Sequence, residues 1–140
     1  MKIKIYFDAS FIPETKASGI SVIIRNENGT LILISSKKVK CKNSNEAEFR
    51  ALNKAIGYLN NRQSRNLIPK GCFIKLYGDN QSVIEIARRS QRMKGIEKSL
   101  MLNFLKELGI LSNNNTVIFK WIKRSKNLEA HQNSKLLINK

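Results

Sequence analysis

Polar and apolar residues alternate along KIKIYF at 2–7, the period of two expected for a half-buried strand. A loop, ASFIPETKASG, follows. ISVIIR and TLILISS are two β-rich runs joined by NENG, whose Asn-Gly step is a hairpin signal. The period then changes. In SNEAEFRALNKAIGYLNN the residues Glu48, Leu52, Ala55 and Leu59 recur at helical spacing, and Ser44 or Asn45 can cap the start. NLIPKG reads as a turn and CFIKLYG as another strand. NQSVIEIARR predicts a short helix, and IEKSLMLNFLKELG a longer one ended by Gly109. After the polar NNNT, VIFKWI is a last strand, and NLEAHQNSKLLINK closes the chain as a helix.

Three strands in a row, then strands alternating with helices, predict an α/β fold: a mixed sheet with helices packed on it. There is no internal repeat and no low-complexity linker, so residues 1–140 are expected to form a single domain.

Composition adds a partner to this picture. Hydrophobic residues make up 41% of the 140, enough to bury a core, which excludes a disordered tail. Lys and Arg number 26 against 10 acidic residues, a net charge of +16. An excess of that size favours polyanionic partners, nucleic acid first among them. A solvated basic surface without a partner, or a ribosome-like structural role, is the plainer alternative. The apolar run in MKIKIYFD stops at Asp8, too short for a signal peptide, and no stretch approaches the roughly 18 apolar residues of a membrane span. Cys41 and Cys72 lie far apart without C-x-x-C spacing, which argues against a disulfide scaffold or a zinc site. The expectation is a cytoplasmic protein with two reduced, buried thiols, no membrane contact, and a monomeric state by default.

Against this cationic background the carboxylates stand out. Only two aspartates occur, Asp8 and Asp79, and each is expected to end a strand, in KIYFD (4–8) and KLYGD (75–79). In both, Asp shares strand parity with the Tyr and Lys before it. If the two strands are parallel neighbours, both carboxylates project from one face at one end of the sheet, where α/β proteins commonly hold ligands. A turn-forming or helix-capping Asp is the alternative, and Asp79 is placed to cap the helix after it. Glu48 opens the apolar stripe of its helix and so faces inward, although Asn45, three residues earlier, permits a capping box instead. Three converging carboxylates in a basic protein suggest hard divalent cations such as Mg²⁺, a basic surface for the backbone and phosphodiester hydrolysis.

These segments together, DAS (8–10), SNEAEFRAL (44–52), YGDNQSVI (77–84) and WIKRSKNLEAH (121–131), resemble the type 1 ribonuclease H family over essentially the whole chain. The resemblance implies a ribonuclease H-like fold, a five-stranded mixed β-sheet flanked by α-helices. It implies metal-dependent hydrolysis of the RNA strand of an RNA–DNA hybrid, with two Mg²⁺ or Mn²⁺ ions, leaving 5′-phosphate and 3′-hydroxyl ends. By position, Asp8, Glu48 and Asp79 match the family's first three metal-binding acids. Ser10, Asn45 and Gln81 fall where members touch the hybrid's backbone or sugars, a contact through which 2′-hydroxyls separate RNA from DNA.

Two departures stand out. The family's usual Ala-Asp pair at the start of the last helix is Ala130-His131 here, and His131 is the chain's only histidine. It therefore takes the position of a metal ligand, with a neutral imidazole that suits Mn²⁺ better than Mg²⁺; a surface helix residue is the alternative. Glu129 is adjacent but points elsewhere on the helix. The loop histidine that assists product release in some members is missing from KRSKN, and the basic protrusion of some members has no separate insert, although RRSQRMK (88–94) supplies four cations. A catalytically weak or inactive hybrid-binding module of the same fold is the alternative function. An integrase-like or junction-resolving core is a weaker third.

Overall fold

The computed structural model describes residues 1–90, 96–136 and 138. The described elements are β1 (Lys2–Ile12), β2 (Ala17–Asn26), β3 (Leu31–Lys40), α1 (Ser44–Ser64), β4 (Phe73–Gly78), α2 (Gln81–Arg89), α3 (Lys98–Asn114), β5 (Thr116–Trp121) and α4 (Leu128–Lys135), with a 3₁₀ turn at Arg124–Lys126. They build one five-stranded sheet in the order β3-β2-β1-β4-β5. The hairpin-linked β1, β2 and β3 are antiparallel, while β4 joins β1 and β5 joins β4 in parallel. The expected mixed sheet is therefore present, with β1 at its centre.

The inner face of the sheet carries Ile3, Ile5 and Phe7 of β1 with Ile74 and Leu76 of β4, all buried. α1 lies on β1 and β2 and packs against α3. Its Leu52, Ala55 and Leu59 stripe is fully buried, as the helical spacing predicts. Phe49 meets Phe104 of α3 with ring centroids 5.1 Å apart. Burying side chains of this size contributes roughly 1.5–3 kcal/mol each. α4 covers the opposite face over β1, β2 and β3. It approaches so closely that a Cβ on Gly19 of β2 would come 1.8 Å from the Ser134 carbonyl oxygen. Gly78, at the end of β4, similarly leaves room for the Phe7 ring, 2.5 Å from where a Cβ would stand.

Several boundaries differ from the sequence pattern. β1 does not end at Asp8; it continues to Ile12 because β2 pairs with it over its whole length, Ala17 opposite Ile12. Only its parallel ladder with β4 stops early, at Tyr6 opposite Tyr77. The expected loop shrinks to residues 13–16. The cap of α1 is Asn43, whose side chain accepts from the Glu46 N–H, and not Ser44 or Asn45. α3 runs through Gly109 to Asn114, since packing outweighs the roughly 1 kcal/mol a mid-helix glycine costs. α4 is shorter than its pattern, and residues 137, 139 and 140 lie outside the described residues. Of the RRSQRMK cations, Arg88 and Arg89 end α2, while Arg92 and Lys94 fall outside the described residues. Cys41 and Cys72 are free and buried, as expected. No helix among the described residues is long and apolar enough to cross a membrane.

Candidate active site

The KIYFD and KLYGD strands are parallel neighbours in the register their sequences suggest, Lys4 opposite Lys75 and Tyr6 opposite Tyr77. Asp8 and Asp79 lie two residues beyond that last pair and share its face. α1 brings Glu48 to the same point: its Oε1 accepts from the Ala9 backbone N–H at 3.3 Å. One carboxylate oxygen from each of Asp8, Glu48 and Asp79 lies within 4.8 Å of the other two. Asp8 is fully buried and Glu48 nearly so, while Asp79 is half-buried.

Each acid is held on one side by the protein. Asn127 donates its side-chain N–H both to the Phe7 carbonyl at 3.0 Å and to Asp79 Oδ2 at 3.3 Å. His131 Nδ1 lies 2.8 Å from Asp8 Oδ2. An ionised carboxylate only accepts, so Nδ1 carries the proton and Nε2 is the ring nitrogen not engaged by Asp8. The oxygens on the other side, Asp8 Oδ1 and Glu48 Oε2, are buried without a hydrogen-bonding partner among the described residues.

That arrangement is electrostatically unfavourable by itself. Burial, then the charges of Asp8 and Asp79, push the Glu48 carboxyl well above the usual carboxylate range. Burial and the Asp8 charge also raise Asp79, with the Asn127 hydrogen bond, Arg124 and His131 opposing. A hard divalent cation fits this donor set. Oxygen ligands are what such ions take, and an ion would partner the two orphaned oxygens while offsetting the crowded charge. The three acids could hold it. His131 is not part of that acidic cluster; its ring is turned to Asp8.

Glu48, Asp79 and His131 line an open cavity of about 790 Å³ rimmed by cations, Lys16, Lys42, Arg124 and Lys135, while the fully buried Asp8 does not line it. Ser10 lines it, with its hydroxyl tied to the Ser134 hydroxyl at 2.6 Å. Asn45 sits at the start of α1 and accepts from the Asn80 side chain at 2.8 Å. Asn80 also caps α2, accepting from the Val83 N–H, so Asp79 does not cap that helix. Gln81 is the exposed first residue of α2 and does not line the cavity. Glu129 points away and pairs with Arg25 at 2.8 Å. Sequence reasoning missed Asn80 and Asn127. The signal available for both was an Asn at a strand-to-helix or turn-to-helix step, a common capping pattern that says nothing of its second partner.

The model of one protein family, described as reverse transcriptase-like, matches residues 6–136. LC11-RNase H1, isolated from compost by a metagenomic approach, is similar in structure, with TM-score 0.78 at 24% identity over 99% of this chain and 96% of that one. The same LC11 enzyme in complex with an RNA/DNA hybrid matches with TM-score 0.76 at 24% identity, covering 95% and 94%. RNase H1 from the halophilic archaeon Halobacterium salinarum NRC-1 matches with TM-score 0.77 at 15% identity, covering 100% of both chains. No curated protein has a significantly similar sequence. The fold is therefore the ribonuclease H-like fold its motifs resemble.

Proposed function

Because the chain belongs to the reverse transcriptase-like family, we propose that it is a metal-dependent endoribonuclease of the ribonuclease H type. It would hydrolyse the RNA strand of RNA–DNA hybrids and leave 5′-phosphate and 3′-hydroxyl ends. One observation carries the reading: Asp8, Glu48 and Asp79 converge within 4.8 Å inside a cationic rim. The hybrid bound by LC11-RNase H1 on the same architecture supports the substrate.

Asp8, Glu48 and Asp79 are the proposed ligands of two Mg²⁺ or Mn²⁺ ions, with His131 as the fourth site residue. Bound there, such ions supply an activated water and charge stabilisation at the leaving oxygen. The chain's own residues prepare that chemistry. Asn127, the Ala9 N–H and His131 each fix one carboxylate oxygen, which leaves Asp8 Oδ1 and Glu48 Oε2 available to an ion. His131 would reach a cation only through Nε2. Ser10, Asn45 and Gln81 are the proposed contacts to the hybrid, and Lys16, Lys42, Arg124 and Lys135 draw in its phosphates. We take the chain to act as one domain, as a monomer, in the cytoplasm.

One observation favours the second reading, a hybrid-binding module that does not cut: the fourth position holds an imidazole turned towards Asp8. Incubation with a labelled RNA–DNA hybrid in Mg²⁺ and in Mn²⁺ separates the two, with RNA–RNA and DNA–DNA duplexes and Asp8→Asn alongside. Cleavage confined to the hybrid's RNA strand and lost in Asp8→Asn supports the enzyme. Hybrid binding without cleavage in either metal supports the module.

A further inference from the structure

The strands that carry the two aspartates present a second surface of opposite character. Residues of the same parity further back along β1 and β4 are Lys2, Lys4 and Tyr6, and Phe73, Lys75 and Tyr77. Lys120 of β5 is paired with Tyr77 and extends the row. α2 and α3 lie on β4 and β5 over the apolar inner face, and α4 lies on β1, β2 and β3. Among the described residues, no helix packs on the outer face of β4 and β5, and α4 borders the strip at Tyr6 through Glu129 and Ala130. That face therefore exposes an aromatic and cationic strip.

The Tyr6 and Tyr77 rings are stacked, with centroids 5.0 Å apart and planes 15° from parallel. That spacing is close to the separation of neighbouring strands, so the rings stack along the direction that crosses the sheet. On the β2 side the stack meets Ile23, the fully buried cross-strand partner of Tyr6, and on the β5 side it meets Lys120, the exposed partner of Tyr77, so the Tyr77 side is the one a base can reach. Beside Tyr6 lies a cavity of about 200 Å³ lined also by Arg25, Lys126 and Asn127. Its one carboxylate, Glu129, is taken up by two hydrogen bonds from Arg25 at 3.0 and 2.8 Å. At the far end a cavity of about 410 Å³ is lined by Lys2, Lys4, Phe73 and Lys75, with Glu27 as its one acid.

This strip is continuous with the acidic site. Asn127 lines the cavity beside Tyr6 and donates to Asp79 Oδ2. The 3₁₀ turn sends Arg124 into the acidic cavity and Lys126 into the one beside Tyr6. Stacking aromatics interleaved with cations are how proteins hold single strands, because every base offers a π-face and every phosphate a charge. A duplex keeps its bases stacked inside and could use only the cations.

The geometry points to a second nucleic-acid site: the outer face of β1, β4 and β5 binds a single strand, with an unpaired base stacked on the Tyr77 end of the Tyr6–Tyr77 pair and phosphates along the lysines. Beside the hybrid-cleavage reading, it assigns the unpaired extension of a substrate a path from the acids across Arg124–Lys126 onto the sheet. The site itself requires no cleavage, so it is tested in EDTA.

Fluorescence anisotropy with a 12-nucleotide oligodeoxythymidine and the full chain reads it directly. Affinity should fall about tenfold in Tyr6→Leu/Tyr77→Leu, consistent with the loss of at least one stacked base. It should fall similarly in Lys4→Glu/Lys75→Glu, and hold in Tyr6→Phe/Tyr77→Phe, which keeps the rings. Photo-crosslinking of a bromodeoxyuridine oligomer should label peptides carrying Tyr6 or Tyr77. Parental affinity in both the leucine and the glutamate variants overturns the proposal, and so do crosslinks confined to α1 and the acidic cavity. A concentration-dependent dimer dispersed by the leucine pair, with oligomer binding unchanged, would instead make the strip a self-association surface.

Discussion

The acidic site has two sides that obey different electrostatics. On the side built by β1, β4 and α1, three carboxylates crowd together, two of their buried oxygens have no partner among the described residues, and burial with mutual repulsion raises Glu48 and Asp79. On the side built by α4, the group beside Asp8 is an imidazole, with Nδ1 2.8 Å from Asp8 Oδ2. The first side is unfavourable until a cation arrives. The second is already satisfied. A histidine at this corner therefore gives up some attraction for metal in return for a metal-free site that is less strained.

The sharpest way to break the contrast is Asp8→Asn, which removes the one carboxylate shared by both sides. Hybrid cleavage should drop by at least about a thousandfold, the several kcal/mol that a metal-held charge supplies. A single-turnover assay that finds the parental rate would end the assignment of Asp8. His131→Asp makes the two sides alike. In EDTA, thermal unfolding should then show a loss on the order of 1–3 kcal/mol, because a hydrogen-bond partner of Asp8 is replaced by a fourth acid beside it. Calorimetric titration should show tighter Mg²⁺ binding in the same variant; unchanged binding would mean that the fourth position does not face the ion.

Glu48→Gln relieves the crowded side alone. Its amide oxygen can still accept from the Ala9 N–H, so the metal-free protein should gain about 1 kcal/mol while Mg²⁺ stabilises it less. A melt in EDTA that shows a lower Tm would contradict the strain described above. The smallest effect is in pH. Glu48 and Asp79 have folded-state pKa values raised above their ordinary 4.5 and 3.8. Such acids bind protons more tightly folded than unfolded, so their contribution to stability is complete below those ordinary values and is lost as pH rises through the folded ones. Metal-free stability should therefore fall as pH climbs from about 4.5, over and above the rest of the protein's titration. Saturating Mg²⁺ or Glu48→Gln should flatten that component, which urea midpoints at several pH values would register.

Much of this was legible in the sequence, for particular reasons. Strand parity in KIYFD and KLYGD placed both aspartates on one face, because alternation is fixed by the backbone and does not depend on neighbours. The Glu48 stripe gave the inward face of α1 in the same way. Boundaries were less legible because they depend on partners distant in sequence. β1 runs past Asp8 only because β2 pairs there, and α3 runs past Gly109 because its Leu111 is buried in the core. Asn127 was out of reach for a related reason: its role is a bridge between the Phe7 carbonyl and Asp79, and neither is near it in the chain. The parity that found the aspartates also put Tyr6 with Tyr77 and Lys4 with Lys75, but periodicity cannot say that no helix packs over Tyr77 and Lys75.

The contact between His131 and Asp8 makes the site unusually easy to watch. Because the chain has one histidine, a sample labelled only in histidine ring nitrogens has two signals, both from the fourth corner of the site. Nδ1 should resonate as a protonated nitrogen held by a carboxylate, and Nε2 reports separately. Titrating Mg²⁺ or Mn²⁺ into that sample follows the loading of the acids from inside the cavity, without substrate, turnover or any resonance assignment.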